Sequence, residues 1–216
     1  MHAEGRHLIE DAKVRELRER LPEHRYDIIP QRSVVIPVYN GSTSIAAVVH
    51  DLLKELSDRP TEIILVNDGS QDDSERRCRE LVDQHPGRVT FVQLSRNFGE
   101  YAAVLAGLRQ CRGEAVVIVD DDGQQPADEA RRLIETLERR RFDVVYGRYL
   151  VRRQSWWRRC AGRIHNLGAC FFLDKPWGLY LSSFKALSRF MVAQICDNTG
   201  SNPYFDGLIL QITENI

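Results

Sequence analysis

The feature that most constrains this chain is an alternation of short apolar strands with amphipathic helices that begins at Ser33. Ser33-Val34-Val35-Ile36-Pro37-Val38 is short and β-branched. Ile45, Val48, Val49, Leu52, Leu53 and Leu56 then follow the i, i+3, i+4, i+7 spacing of a helix face, with Ser42, Thr43 and Ser44 offering N-caps. The pattern recurs as a strand over 62–66, a helix carrying Cys78, Leu81 and Val82 behind Asp72 or Asp73, and a strand over 89–94. It continues with a helix over about 100–110, a strand over 115–120, a helix with Leu133, Ile134 and Leu137 inward, and a strand over 143–146. Near-continuous apolar strands between such helices predict an α/β fold of the Rossmann-like kind, a mostly parallel sheet flanked by helices on both faces.

Sheets of this kind bind ligands beyond the carboxyl ends of their strands. Here those ends carry Pro37-Val38-Tyr39-Asn40, Asn67-Asp68-Gly69-Ser70, Arg96-Asn97, Asp120-Asp121-Asp122 and Gly147-Arg148. Turn chemistry accounts for Asn40-Gly41 or Asn67-Asp68-Gly69 taken singly, but not for a polar ending on every strand. The most pointed is Val116-Val117-Ile118-Val119-Asp120-Asp121-Asp122-Gly123-Gln124-Gln125-Pro126, where an apolar run ends in three carboxylates. By itself that tip fits a solvated acidic turn as well as it fits a site for Mg²⁺ or Mn²⁺, which prefer hard oxygen ligands shared with substrate phosphates.

Composition narrows the classes. The chain has 216 residues, enough to bury a sizeable core, with a formal net charge of -1 that gives no argument for nucleic acid as a partner. Its five cysteines are scattered and form no C-x-x-C pair, which points to a reducing, cytoplasmic setting rather than a disulfide framework or structural zinc. No apolar run reaches membrane-spanning length and no secretory signal opens the chain. Residues 1–30 are highly charged, with Leu8, Val14, Leu17 and Leu21 loosely at helical spacing, and are expected to be a helical extension ahead of a domain over 31–216.

No G-x-G-x-x-G follows a strand, no G-x-x-x-x-G-K-[ST] appears, and no G-x-S-x-G elbow is present. What remains is a carboxylate and amide pocket with a cation site, suited to a nucleotide diphosphate. Val35-Ile36-Pro37-Val38-Tyr39-Asn40, Val66-Asn67-Asp68-Gly69-Ser70, Leu94-Ser95-Arg96-Asn97-Phe98-Gly99 and Asp120-Asp121-Asp122-Gly123-Gln124-Gln125-Pro126 together resemble family 2 glycosyltransferases. More narrowly, the chain is similar to the polyprenyl-phosphate sugar transferases of the dolichyl- and undecaprenyl-phosphate type, over roughly residues 33 to 160. The resemblance implies an A-type glycosyltransferase (GT-A) fold and inverting transfer from a nucleotide-diphosphate sugar, with UDP preferred to GDP. It implies that Pro37, Tyr39 and Asn40 line the nucleoside pocket and that Asp68 reads the base. Asp120 and Asp122 match the family's Asp-x-Asp, and Gln124 a glutamine of the metal shell, while Asp121, in the variable middle position, is grouped with the nucleotide site. Arg148 and one of Arg158 or Arg159 match basic residues that meet donor or acceptor phosphates.

Two departures bear on this. Gly41 stands where the family usually has a glutamate, and in the segment Pro176–Lys185 an aspartate and an arginine are replaced by Pro176 and Ser182. The membrane helices that usually follow the family's catalytic domain are absent, which leaves open that the domain is cut short.

Residues 148–163 combine Trp156 and Trp157 with clustered arginines. They read as a helix packed on the core with a solvated basic face, and equally as one approaching an anionic membrane surface, here its cytoplasmic face. The acceptor type decides what else is needed. A phosphate monoester, with a second pKa of about 6, is already nucleophilic near neutral pH and needs positioning more than a base. A saccharide hydroxyl would need a carboxylate within reach. Asp206 is the candidate for that role, with Asp174 second, and Asp206 serves equally as a cap for the helix containing Leu208, Ile209 and Leu210. A lipid-phosphate sugar transferase is therefore the expectation; its rivals are transfer to a saccharide hydroxyl, a nucleotidyltransferase and a non-catalytic sugar-nucleotide sensor.

Overall fold

The computed structural model describes residues 30–147, 181–198 and 205–216. The strands are β1 (Arg32–Val38), β2 (Thr61–Asn67), β3 (Val89–Gln93), β4 (Ala115–Ile118), β5 (Val144–Tyr146) and β6 (Lys185–Ser188). The helices are α1 (Ile45–Glu55), α2 (Ser74–Gln84), α3 (Glu100–Leu108), α4 (Ala127–Arg140), α5 (Arg189–Asp197) and α6 (Phe205–Ile212). They build one sheet in the order β3-β2-β1-β4-β6-β5. β1 runs parallel to β2 and β4, and β3 parallel to β2. β6 is antiparallel to both β4 and β5, so β5 points the same way as β4. The expected mostly parallel sheet is present, and the antiparallel insert went unforeseen. Lys185-Ala186-Leu187-Ser188 is too short and too mixed to announce a strand.

The strands are apolar on both sides because both faces are covered. Val34, Ile36, Val38, Ile63, Leu65 and Val117 pack against α1, α2 and α4, through residues such as Val49, Leu52, Leu81 and Ile134. Val35, Ile64, Val66, Val116, Ile118 and Leu187 face α3, α5 and α6, through Val104, Leu108, Met191 and Ile209. Burying one such side chain contributes about 1.5–3 kcal/mol, so the double layer dominates the fold's stability. The amino-terminal end of the sheet is pinned separately. Arg32 is 1% exposed, and its guanidinium donates to Asp58 at 3.2 Å and to Glu138 at 3.1 Å.

The helix starts differ from expectation in detail. Ser44 occupies the N-cap position of α1 without a side-chain cap bond; its hydroxyl donates to the Gly41 carbonyl at 3.3 Å. At α2 it is Asp72, not the N-cap residue Asp73, whose carboxylate accepts from the Ser74 N–H at 3.0 Å. Pro126 stands just ahead of α4 in extended conformation, which terminates the acidic turn and lets the helix begin at Ala127.

Candidate active site

The parallel strands bring their carboxyl ends to one edge, and the loops leaving them are tied to each other. Past β1, the Tyr39 N–H donates to Asp121 Oδ2 at 2.9 Å and the Asn40 N–H to Ser70 Oγ at 2.9 Å. Asn40 Oδ1 accepts from the Gln71 N–H at 2.9 Å, and the Ser42 N–H donates to Asp72 Oδ2 at 3.1 Å. Asn40 has φ 56°, a left-handed conformation in which asparagine is among the few tolerated residues. The Tyr39 side chain remains 48% exposed at this edge.

Asp68, at the end of β2, is 3% exposed, and both its oxygens are engaged. Oδ1 accepts from the Phe98 N–H at 2.7 Å and Oδ2 from the Gly99 N–H at 2.9 Å. The carboxylate thereby holds the loop between β3 and α3. Gly69, at φ +66°, lets that loop close in, since a Cβ there would lie 2.5 Å from the Arg96 carbonyl carbon.

The acidic tip of β4 is built around Asp120. Its N–H donates to Gln125 Oε1 at 2.8 Å, and Gln125 Nε2 donates back to Asp120 Oδ2. The Ser183 hydroxyl, just ahead of β6, donates to the same oxygen at 3.2 Å. Burial, and then the charge of Glu100, push the Asp120 carboxyl up to about 6; Ser183 opposes the shift, while Asp122 and Asp121 add to it. Burial also raises Asp121, against the N–H of Tyr39. Asp122 Oδ1 accepts from the Gln124 N–H at 2.9 Å, and Gln124 is exposed.

The donor chemistry fits a hard divalent cation. The tip offers only carboxylate and carboxamide oxygens, and crowded carboxylates are the environment that a cation relieves. Among the described residues no three acidic, histidine or cysteine side chains are drawn into a ready-made cage. A cation here would be held by Asp120, Asp122 and Gln124 and would share its remaining positions with phosphate and water.

Asp206 lies in the first turn of α6, its side chain 15% exposed. It accepts from the Tyr146 hydroxyl at 2.9 Å and forms an ion pair with Lys185, whose ammonium lies 5.1 Å from the centre of the Tyr146 ring. Phe205 beside it packs on Tyr101 of α3 with ring centres 3.9 Å apart. Asp206 therefore joins α6 to β5 and β6.

The structure thus gathers Pro37, Tyr39, Asn40, Asp68, Asp120, Asp121, Asp122 and Gln124 at one edge. Arg148, Arg158, Arg159, Asp174, the 148–163 segment and residues 1–29 lie outside the described residues. Sequence reasoning missed Gln125 and Ser183. Gln125 carried a signal, because a residue before proline is held extended and has no place in the following helix. Ser183 carried none, since its contact depends on the antiparallel β6.

A family model described as Glycosyl transferase family 2 matches residues 33–196. An undecaprenyl-phosphate 4-deoxy-4-formamido-L-arabinose transferase of Serratia proteamaculans is 36% identical over 171 residues, covering 78% of this chain and 52% of that protein. A protein of the same name from Pseudomonas aeruginosa is 40% identical over 138 residues, covering 62% and 40%. The chain spans about half the length of the curated relatives it matches. Among solved structures, glucosyl-3-phosphoglycerate synthase of Mycobacterium tuberculosis, with Mn²⁺, UDP and phosphoglyceric acid, superposes with a TM-score of 0.60 at 19% identity, over 77% of this chain and 58% of that one. A mannosyltransferase of Pyrobaculum calidifontis, with GDP-Man and Mn²⁺, gives 0.55 at 21% identity, over 82% and 51%. At such identities the likeness speaks for the fold.

Proposed function

Because this chain belongs to glycosyl transferase family 2 and has the A-type glycosyltransferase fold, we propose that it moves a sugar from a nucleotide diphosphate to a polyprenyl phosphate. The observation that supports this is the contact of the acidic β4 tip with the Tyr39–Gly41 loop, which brings the residues we propose as cation ligands and as nucleoside lining to one strand edge. The relatives named for undecaprenyl phosphate support the acceptor.

In this reading Pro37, Tyr39 and Asn40 line the nucleoside pocket, and Asp68, which holds the main chain at Phe98 and Gly99, reads the base. Asp120, Asp122 and Gln124 would hold Mg²⁺ or Mn²⁺, which when bound would supply charge neutralisation for the diphosphate. UDP is the nucleotide we assign. Arg148 with Arg158 or Arg159 grips phosphate, and the basic segment brings the domain to a membrane surface at the cytoplasmic side. No described helix is long and apolar enough to cross a membrane. The engagement of Asp206 with Lys185 and Tyr146 supports an acceptor that brings its own charge, since a phosphate needs no carboxylate base to become a nucleophile. Residues 31–216 form the catalytic domain and residues 1–30 an extension to it.

The test is nucleotide release. The chain is incubated with Mn²⁺, undecaprenyl phosphate and a panel of UDP- and GDP-sugars that includes activated 4-deoxy-4-formamido-L-arabinose, and nucleotide diphosphate is scored. Release that requires both lipid and metal supports the proposal. No response to any donor, together with unchanged UDP binding in Asp122→Ala, would overturn it.

A further inference from the structure

Asp121 lies between two proposed cation ligands, yet its carboxylate is turned to the neighbouring loop. Oδ2 accepts the Tyr39 N–H at 2.9 Å, a hydrogen bond between residues 82 positions apart. The same carboxylate presses on Gly41. A Cβ built on Gly41 would lie 2.8 Å from Asp121 Cγ and 3.2 Å from Asp121 Cβ, and would collide with Oδ2. A side chain at position 41 would displace the Asp121 carboxylate from the place it holds. Between these contacts stands Asn40 in its left-handed conformation, with its N–H on Ser70 and its side chain on Gln71. A turn of that kind costs free energy and persists only where its surroundings over-determine it.

We propose that Asp121 is a positioning residue: it contacts neither cation nor nucleotide, and it locks the Tyr39–Gly41 loop to the cation-bearing turn so that the two halves of the donor site keep one geometry. The proposal rests on the donor-site reading above. Tyr39 gains its orientation from a main-chain bond, which leaves its half-exposed ring available to a ligand. A carboxylate acceptor makes this bond stronger than a neutral one. The arrangement also explains why three consecutive aspartates occur where two ligands suffice.

The experiment compares Asp121→Ala and Asp121→Asn with the parent by amide hydrogen exchange at Tyr39 and by UDP binding across a Mn²⁺ titration. Asp121→Ala should speed Tyr39 exchange and weaken UDP roughly tenfold, the worth of one charge-assisted hydrogen bond, with the Mn²⁺ half-saturation point unmoved. Asp121→Asn keeps an acceptor oxygen and should recover most of both losses. A third comparison guards against simple misfolding: Gly41→Ala should weaken UDP in the parent but add nothing in an Asp121→Gly background. Unchanged Tyr39 exchange in Asp121→Ala, or an equal shift of the Mn²⁺ half-saturation point in the Ala and Asn variants, would overturn the proposal. If the parent binds no UDP, the donor-site reading falls, and Tyr39 exchange alone decides the contact.

Discussion

Lys185, at the start of β6, and Asp206, in the first turn of α6, form an ion pair with side chains only 5% and 15% exposed. The Tyr146 hydroxyl completes the group, so one carboxylate binds a helix to two strands beside the β4 tip. Removing one member of a buried pair strands the other charge, whereas removing both does not. Asp206→Ala should therefore cost about 3 kcal/mol of stability, and Lys185→Met with Asp206→Leu should recover most of it. Urea unfolding followed by circular dichroism measures both. Equal losses in the single and double variants would contradict the pairing.

Gln125 closes a reciprocal bond with Asp120, donating to its carboxylate and accepting its N–H. Gln125→Ala leaves that N–H without its acceptor and should lower stability by about 1–2 kcal/mol. Gln124→Ala, on the exposed side of the turn, should leave the melting temperature unchanged and act on Mn²⁺-dependent nucleotide binding instead. Thermal shift with and without Mn²⁺ and UDP separates the two glutamines.

Asp72 predicts an acid limb. Hydrogen bonds from the Ser74 and Ser42 groups outweigh its desolvation and hold its carboxyl down at about 2, against an ordinary value of 3.8. A carboxyl lowered in the folded state stabilises the protein above its unfolded pKa, and the contribution fades as pH falls towards the folded value. Stability should thus decline between pH 4 and pH 2 by an amount that Asp72→Asn removes. Denaturation midpoints at stepped pH test this, and parallel curves for the two proteins would contradict it.

Cys78 and Cys111 are buried, and burial pushes both thiols up to about 12. The thiolate is the reactive form, so neither should be labelled by a disulfide reagent at pH 8 in the folded protein. Both should react at the rate of unfolding once urea is added. Peptide mapping of the labelled protein reads the outcome directly.

Most of the parallel sheet was legible because period and composition are local properties. Val34–Val38, Glu62–Val66 and Ala115–Val119 are short, nearly continuous apolar runs set between amphipathic helices, the pattern of strands covered on both faces. The carboxyl-edge site followed from topology, which places every parallel strand end on one side. β6 was not legible, because an antiparallel partner for β4 arriving some 65 residues later in the chain leaves no local period. With it went Ser183 and the Lys185–Asp206 pair.

The sequence by itself determined the α/β alternation and the polar edge, since both are written in spacing and residue type, and its strand-end motifs carried the resemblance to the family. Which aspartate does which work was decided only by the tertiary structure. Asp120, Asp121 and Asp122 are identical in chemistry and adjacent in the chain, yet one is clamped by Gln125, one accepts from Tyr39 and one from Gln124. A turn points neighbouring side chains in different directions: Asp120 and Asp122 meet residues of their own turn, while Asp121 meets a loop 82 positions away, so their contacts are settled by packing.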